Sequence, residues 1–285
     1  MQIREVEYFL TVAEHGSVRH AAASLGLTQP SLSRGIVNLE REFGQQLFDR
    51  LGHGVVLTAA GKAFLGPARR LVRTARLDAD PTSLSLDIAV WGTLTIDPTA
   101  DLIAQLHTES PALRIRIEQA DDEESVCRLV REGHCEIGMM SLPAIFVSGL
   151  RVIPAGTFQE WLVLPPGTEV EPGPLPLSAV SDYRLIVPAG GSQVPFVGMS
   201  LAAAGVDIRL GVLSAHREAL ISLVVAGAGA TTASERYARV AASRGAVIRE
   251  LVPPITREYG LVHRDDVLSP AARRFIALAL ADTAN

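Results

Sequence analysis

The residues best suited to chemistry lie close together: Gln29, Ser31, Ser33 and Arg34. An arginine fork can grip a guanine edge, a glutamine an adenine edge, and a serine either base edges or phosphates. Thr28 stands just before them, where it can cap a helix. Pro30 falls in the first turn of that helix, where its missing N–H costs nothing. A helix start also favours phosphate. Spacing alone leaves two readings open, a nucleic-acid contact face and a solvated polar face on a helical core.

Other chemistries find little support. There is no Gly-x-Ser-x-Gly elbow and no His-Glu-x-x-His pair. The histidines at 15, 20, 53, 107, 134, 216 and 263 are scattered and form no ligand pair. The acidic run Asp121–Glu124 sits at a helix start, where the helix dipole accounts for it without a metal. Gly227-Ala-Gly229 follows a helix rather than a strand and lacks a third glycine, so it is no dinucleotide loop. Cys127 and Cys135 read as buried thiols, since no basic cluster stands beside Cys135 to activate it; a redox switch is the other reading. No catalytic residue, metal site or cofactor is expected.

The elements that position the polar run follow from helical spacing. Val6, Phe9, Leu10 and Ala13 make one buried stripe, ended by Gly16. Ser17 caps a short second helix that places Ala21, Ala22 and Leu25 inward and stops at Gly26. Leu32, Ile36, Leu39 and Phe43 give the third helix its apolar face. Two short helices about a tight turn are helix-turn-helix arithmetic. Extended pieces flank the tip at Gly52, His53 and Gly54 and predict a small hairpin, or wing, with Arg50 and His53 beside it. Thr58 then caps a long helix with a seam of Phe64, Ala68, Leu71 and Ala75, either packed on its own domain or used to dimerise.

Charge is distributed to match. The total of −5 is modest, but residues 1–76 hold ten basic and six acidic groups, which leaves an acidic remainder. A basic head on an acidic body suggests a nucleic-acid module joined to a regulatory one. Two cysteines in 285 residues suit a reducing, cytoplasmic setting. The N-terminus, with Glu5, Glu7 and Glu14, is unlike a signal peptide, and no run of eighteen apolar residues suggests a membrane span.

From Glu7 to Arg50, and again over VVLTAAGKAFL, the chain resembles the winged helix-turn-helix of LysR-type transcriptional regulators. The residues that carry this are the Phe-Leu-x-Val-Ala first helix, the Ser17 cap, Ala21-Ala22 and Gln29-Pro30-Ser31-Leu32-Ser33. Leu39-Glu40, Gly44, Leu47-Phe48, Arg50 and Leu57-Thr58-x-Ala60-Gly61 complete the match. Two departures stand out: His53 fills a wing position that is usually Arg, and the stretch from Leu71 to Leu86 is several residues short. The resemblance implies DNA contacts from Ser17, Thr28, Gln29, Pro30, Ser31, Ser33, Arg34, Arg50 and His53.

Beyond a predicted hinge at 78–83, strands and helices alternate: strand 84–91, helix 98–110, strand 113–119, helix 121–132, strand 136–141. This order predicts α/β architecture with a mostly parallel sheet. The Pro- and Gly-rich stretch 164–178 reads as a surface loop, and a second β/α series follows it. The resemblance implies a two-lobed, periplasmic-binding-protein-like effector domain over 84–285. Lobe 1 would be about 86–161 with 264–285, and lobe 2 about 162–263. The DNA-binding domain would be 1–58 and the linker helix and hinge 59–83. VVAGAGATTAS at 224–234 is similar to a family glycine motif, without its usual closing proline.

In such a domain the ligand meets strand ends at the lobe junction. Family placement then points to Trp91, Thr93, Thr95 and Gln119 in lobe 1, and to Gly190, Ser192, Ser214 and His216 in lobe 2. Each hydroxyl can equally be a helix cap, and Trp91 can equally be core. The expected function is sequence-specific transcriptional regulation, with double-stranded promoter DNA, a small-molecule effector (an anion or other polar metabolite) and a homodimer or homotetramer as partners. The alternative is a cytoplasmic small-molecule-binding or enzymatic α/β protein whose N-terminal helices serve only for dimerisation.

Overall fold

The computed structural model of the chain describes residues 2–52, 54–79, 85–189, 193–265 and 268–282, and the side chains of all of these but 50, 51, 76–79, 193–195 and 282. The chain divides into two units: Met1–Ser85 with Ala112–Arg114 and Arg131–Cys135, and the remainder.

In the first unit, α1 (Ile3–His15) buries Val6, Phe9 and Val12 and ends at Gly16, whose left-handed backbone turns its N–H back onto the Val12 carbonyl. In α2 (Val18–Ser24), Ser17 caps the start by accepting the His20 N–H at 3.4 Å. Ala21 and Ala22 are buried, and small side chains let helices approach closely. α3 (Gln29–Phe43) buries Leu32, Gly35, Ile36 and Leu39. Glu40, on the same helix, accepts the Leu47 and Phe48 N–H groups at 2.8 and 3.2 Å, and so fixes the entry to the wing. The wing is an antiparallel hairpin of β1 (Phe48–Leu51) and β2 (Gly54–Leu57). Thr58 accepts the Gly61 N–H at 3.0 Å and starts α4 (Ala59–Ala79).

Three expectations for this unit are corrected. Thr28 makes no side-chain cap to α3; its hydroxyl pairs with that of Ser31 at 2.9 Å. Leu25 and Phe43 stay 37% and 42% exposed, because Leu25 sits at the helix end and Phe43 at the open end of its stripe. The α4 seam is split: Phe64, Ala68 and Val72 belong to the head's own core, whereas Leu71 and Ala75 are half-buried. Phe9 is flanked there by Phe48 and Phe64, with ring centroids 5.3 and 5.2 Å away.

The second unit runs β3 (Ser85–Trp91), α5 (Thr99–Glu109), β4 (Arg114–Ala120), α6 (Glu123–Arg131) and β5 (Ile137–Leu142). Then follow β6 (Leu150–Leu164), β7 (Leu175–Pro176), β8 (Arg184–Pro188), α7 (Gln193–Ala203) and β9 (Arg209–Ser214). The chain continues through α8 (Ala219–Val225), β10 (Thr231–Ser234), α9 (Glu235–Ala242) and β11 (Val247–Arg249). It closes with β12 (Leu251–Val252), β13 (Ile255–Arg264) and α10 (Pro270–Asp282). One sheet has the order β10-β6-β13-β5-β3-β4, with β11 also on β6. β3 and β5 are parallel, but β13 is antiparallel to both β5 and β6, and β10 and β11 are antiparallel to β6.

The expected mostly parallel sheet is therefore mixed. β6 and β13 pair from Leu150↔Arg264 to Glu160↔Ile255 and carry the chain between two lobes. β8 and β9 form a separate parallel pair in the second lobe. The expected loop at 164–178 is shorter, since β7 pairs with β12 and a 3-10 turn starts at Leu177. The helix α4 continues through the start of the predicted hinge to Ala79, and 80–83 lie outside the described residues.

Candidate nucleic-acid face and effector cleft

At the start of α3, Gln29, Pro30, Ser31 and Arg34 are exposed and Ser33 is half-buried. Arg34 donates through Nε to the Pro30 carbonyl at 3.4 Å, which lays its fork along the helix's first turn. The opposite face of α3 is locked into the core by Leu32, Ile36 and Leu39. Ser17 is half-buried and occupied as a cap. Arg50 lies in β1 opposite Val55, while its side chain, and His53 altogether, lie outside the described residues.

In the second unit a cavity of about 340 Å³ is lined by Gly92, Thr93, Thr95, Ile96, Ile117, Gln119, Arg217, Glu218 and Tyr237. Thr93 and Thr95 stand on the 3-10 turn Gly92–Thr95 that follows β3, and Gln119 near the end of β4. Among the described residues, none of these three side chains forms a hydrogen bond within the protein. Trp91 is 2% exposed, and its indole N–H donates to the Asp121 carbonyl at 3.2 Å. The Arg217 guanidinium lies 4.7 Å from the Trp91 ring centroid and that of Arg257 5.4 Å.

Beside the cleft, the two strands that join the lobes hold a buried pair. Arg257 (3% exposed) lies 3.6 Å from Glu160 (2% exposed) and donates to the Ser141 hydroxyl at 2.9 Å. Burial pushes the Glu160 carboxyl up, against the pull of Arg257. Burial likewise pushes both arginines down, and each is surrounded by Glu160 and Glu123, which favour its charge. Among the described residues, Oε2 of Glu160 has no hydrogen-bond partner.

The structure brings some of the sequence-derived residues together and not others. Thr93, Thr95 and Gln119 come together, with Trp91 behind them. Gly190 and Ser192 lie outside the described residues. Ser214 and His216 do not line the cavity. The Ser214 hydroxyl accepts the His216 N–H at 3.1 Å and donates to its carbonyl, and this turn leaves His216 exposed beside Glu218 at 3.3 Å. The same turn sets Arg217, half-buried, and Glu218, exposed, along the cavity instead. Arg217, Arg257, Glu160 and Tyr237 were not singled out from sequence. Only Arg217 carried a signal there, its place beside His216.

A larger groove of about 830 Å³ is lined by residues of β6, α9 and β13. Its arginines are occupied, Arg236 with Asp101 and Arg239 with Glu235. Among the described residues, no group of three or more His, Cys, Asp or Glu can hold a metal ion, and no helix is long and apolar enough to cross a membrane. Cys127 and Cys135 are free and buried, with the Cys127 thiol 3.6 Å from the Met140 sulfur.

A winged helix-turn-helix joined to a two-lobed α/β unit with a cavity between its lobes defines a class: a nucleic-acid-reading head with a small-molecule-binding body. Comparison with known proteins makes the class specific. Residues 3–62 match the bacterial regulatory helix-turn-helix of the lysR family, and 79–284 match the LysR substrate binding domain. The chain belongs to the LysR family and is a DNA-binding transcriptional regulator with an effector-binding domain. It is 30% identical to the HTH-type transcriptional regulator IlvR of Caulobacter vibrioides, over 99% of this chain and 98% of that one. Full-length CbnR in complex with its target DNA has the same fold at 22% identity and a TM-score of 0.69, covering 98% of this chain and 99% of that one. A full-length OxyR variant from Pseudomonas aeruginosa does so at 21% identity and 0.72, covering 99% and 94%. DNA and a small molecule are thus its partners.

Proposed function

We propose that α3 is the helix that enters the major groove. Gln29, Ser31, Ser33 and Arg34 contact bases or phosphates there, and Ser17, Thr28 and Pro30 shape the entry. The wing, with Arg50 and His53, braces the flank. The observation that carries this is the arrangement of α3: its polar residues share the exposed first turns of a helix whose other face is held in the core. The head spans 1–58, the linker and dimerisation helix with its hinge 59–83, and the effector domain 84–285.

The effector sits between the lobes against Thr93, Thr95 and Gln119, with Trp91 behind them and Gly190, Ser192 and the Ser214–His216 turn on the other side. By binding one lobe arrangement better than another, it shifts the population and re-spaces the DNA heads of a homodimer or homotetramer. The chain acts in the cytoplasm, by binding rather than by catalysis. Arg34→Ala tests the head: loss of a bidentate base contact costs about 1–3 kcal/mol at one base position. Fluorescence anisotropy with the chain's own promoter fragment and single-base variants reads it, and unchanged affinity and preference would remove Arg34 from the contact set.

A further inference from the structure

The exposed face of α3 carries a large apolar residue in mid-helix: Val37, 54% exposed. We propose that Val37 is a specificity-determining residue of the head and packs on the C5-methyl group of a thymine in the major groove. The inference rests on the reading of α3 as the groove-entering helix, and it adds an apolar base contact to the polar ones of that reading.

Position, exposure and chemistry support it. Pro30, Arg34, Val37 and Arg41 fall at i, i+4, i+7 and i+11, which is one stripe of a helix, and all four are exposed. Leu32, Ile36 and Leu39 hold the other side of α3 in the core. Val37 therefore faces outward on the same stripe as Arg34, one turn further along. Among the described large apolar side chains that the head leaves exposed, that of Val37 is the most exposed. Ile3 and Leu25 stand at helix ends, Val56 lies in the wing, and Phe43 packs on Phe64 with ring centroids 4.8 Å apart. Val37 alone among them occupies the middle of a helix. Thymine is the base whose major-groove edge carries a methyl group beside its hydrogen-bonding atoms. A valine pressed on an amino or carbonyl edge would take that group from water and give it no partner. On the methyl it buries apolar surface instead. Its χ1 is nearly fixed in a helix, so the contact costs little side-chain freedom. Arg34 and Arg41 stand one turn before and one turn after it, and their charge suits the phosphates that border the groove.

The full-length protein and its Val37→Ala variant are titrated by fluorescence anisotropy with the chain's own promoter duplex and with a scrambled duplex. A further set of promoter duplexes replaces each thymine in turn by deoxyuridine, which lacks only the methyl group. Val37 is exposed, so its truncation perturbs folding little, and circular dichroism melts check this. The expected result is at least one thymine where deoxyuridine weakens binding by the parent about fourfold, the worth of one buried methyl group. Val37→Ala binds the natural promoter weaker by a similar factor, responds little to deoxyuridine at that position, and matches the parent on the substituted duplex. That pattern is the coupling expected of two groups in contact. An equal response to deoxyuridine by parent and variant at every position would assign the methyl contact to another residue and overturn the proposal. Preference for the promoter over the scrambled duplex with no methyl-sensitive thymine would also overturn it, while leaving the reading of α3 intact. Equal affinity of the parent for promoter and scrambled duplex would remove that reading and the proposal with it.

Discussion

Glu160 and Arg257 lie almost a hundred residues apart and meet on the two strands that join the lobes. Nothing in their local sequence announces this, since each is one charged residue in an alternating strand, and only the antiparallel register of β6 and β13 brings them together. That Trp91, Thr93, Thr95 and Gln119 gather at the ends of β3 and β4 was legible, because the alternation of strands and helices fixes where strands end. Ser214 and His216 stand next to the cavity lining rather than in it: which of several consecutive residues faces a cavity depends on a hydrogen-bonded turn that spacing does not encode. Two predictions belong at this scale. Burial raises Glu160 above its ordinary value of 4.5, so the native chain keeps a proton that the unfolded chain releases. The unfolded state then binds fewer protons, and this group's contribution to stability falls as pH rises from 4.5 toward the folded value. Urea midpoints across that range should decline less for Glu160→Gln than for the parent, and parallel profiles would show the carboxyl to be ordinary. Thr93→Val should abolish the response to inducer in a promoter-reporter assay while leaving promoter affinity intact, and equal loss of both would show a structural role for Thr93.

At the scale of elements, the head was readable nearly residue by residue. Its helices are short, local and amphipathic, and their stops are glycines in left-handed geometry at Gly16 and Gly44. What spacing did not settle was the allegiance of α4. Its seam has the same periodicity whether it faces a partner or the head, and tertiary packing of Phe64 against Phe9 and Phe43 decides for the head over its first half. The junction of wing and α4 is the tightest place in this arrangement: a Cβ on Gly61 would stand 2.1 Å from the Leu47 carbonyl oxygen. Gly61→Ala should therefore destabilise the head by about 1–3 kcal/mol through overpacking, with a lower melting midpoint and weaker promoter binding as the readouts. An unchanged melt would mean that the hairpin yields freely. In the body, β6 escaped the sequence reading because Pro154 and Gly156 interrupt it and its partner lies a hundred residues downstream. β10 is only four residues long and follows directly on a glycine turn. The parallel pattern inferred from β-α-β order holds for β3 and β5 and fails where the chain crosses between lobes.

For the whole molecule, the net charge of −5 averages a basic head and an acidic body, so the total says little about partners. The head's excess positive charge sits where counterion release makes binding sensitive to salt. A regulator built this way must prefer its operator over random duplex, and it must lose affinity steeply as salt rises. The most direct test is an anisotropy titration of the full-length protein with its own upstream promoter duplex and with a scrambled duplex, each at about 50 and 200 mM salt. The predicted result is a preference for the promoter of about a thousandfold or more, together with a fall of several decades in affinity between the two salt concentrations. Equal affinity for the two duplexes, or affinity indifferent to salt, would contradict the assignment of α3 as a promoter-reading helix.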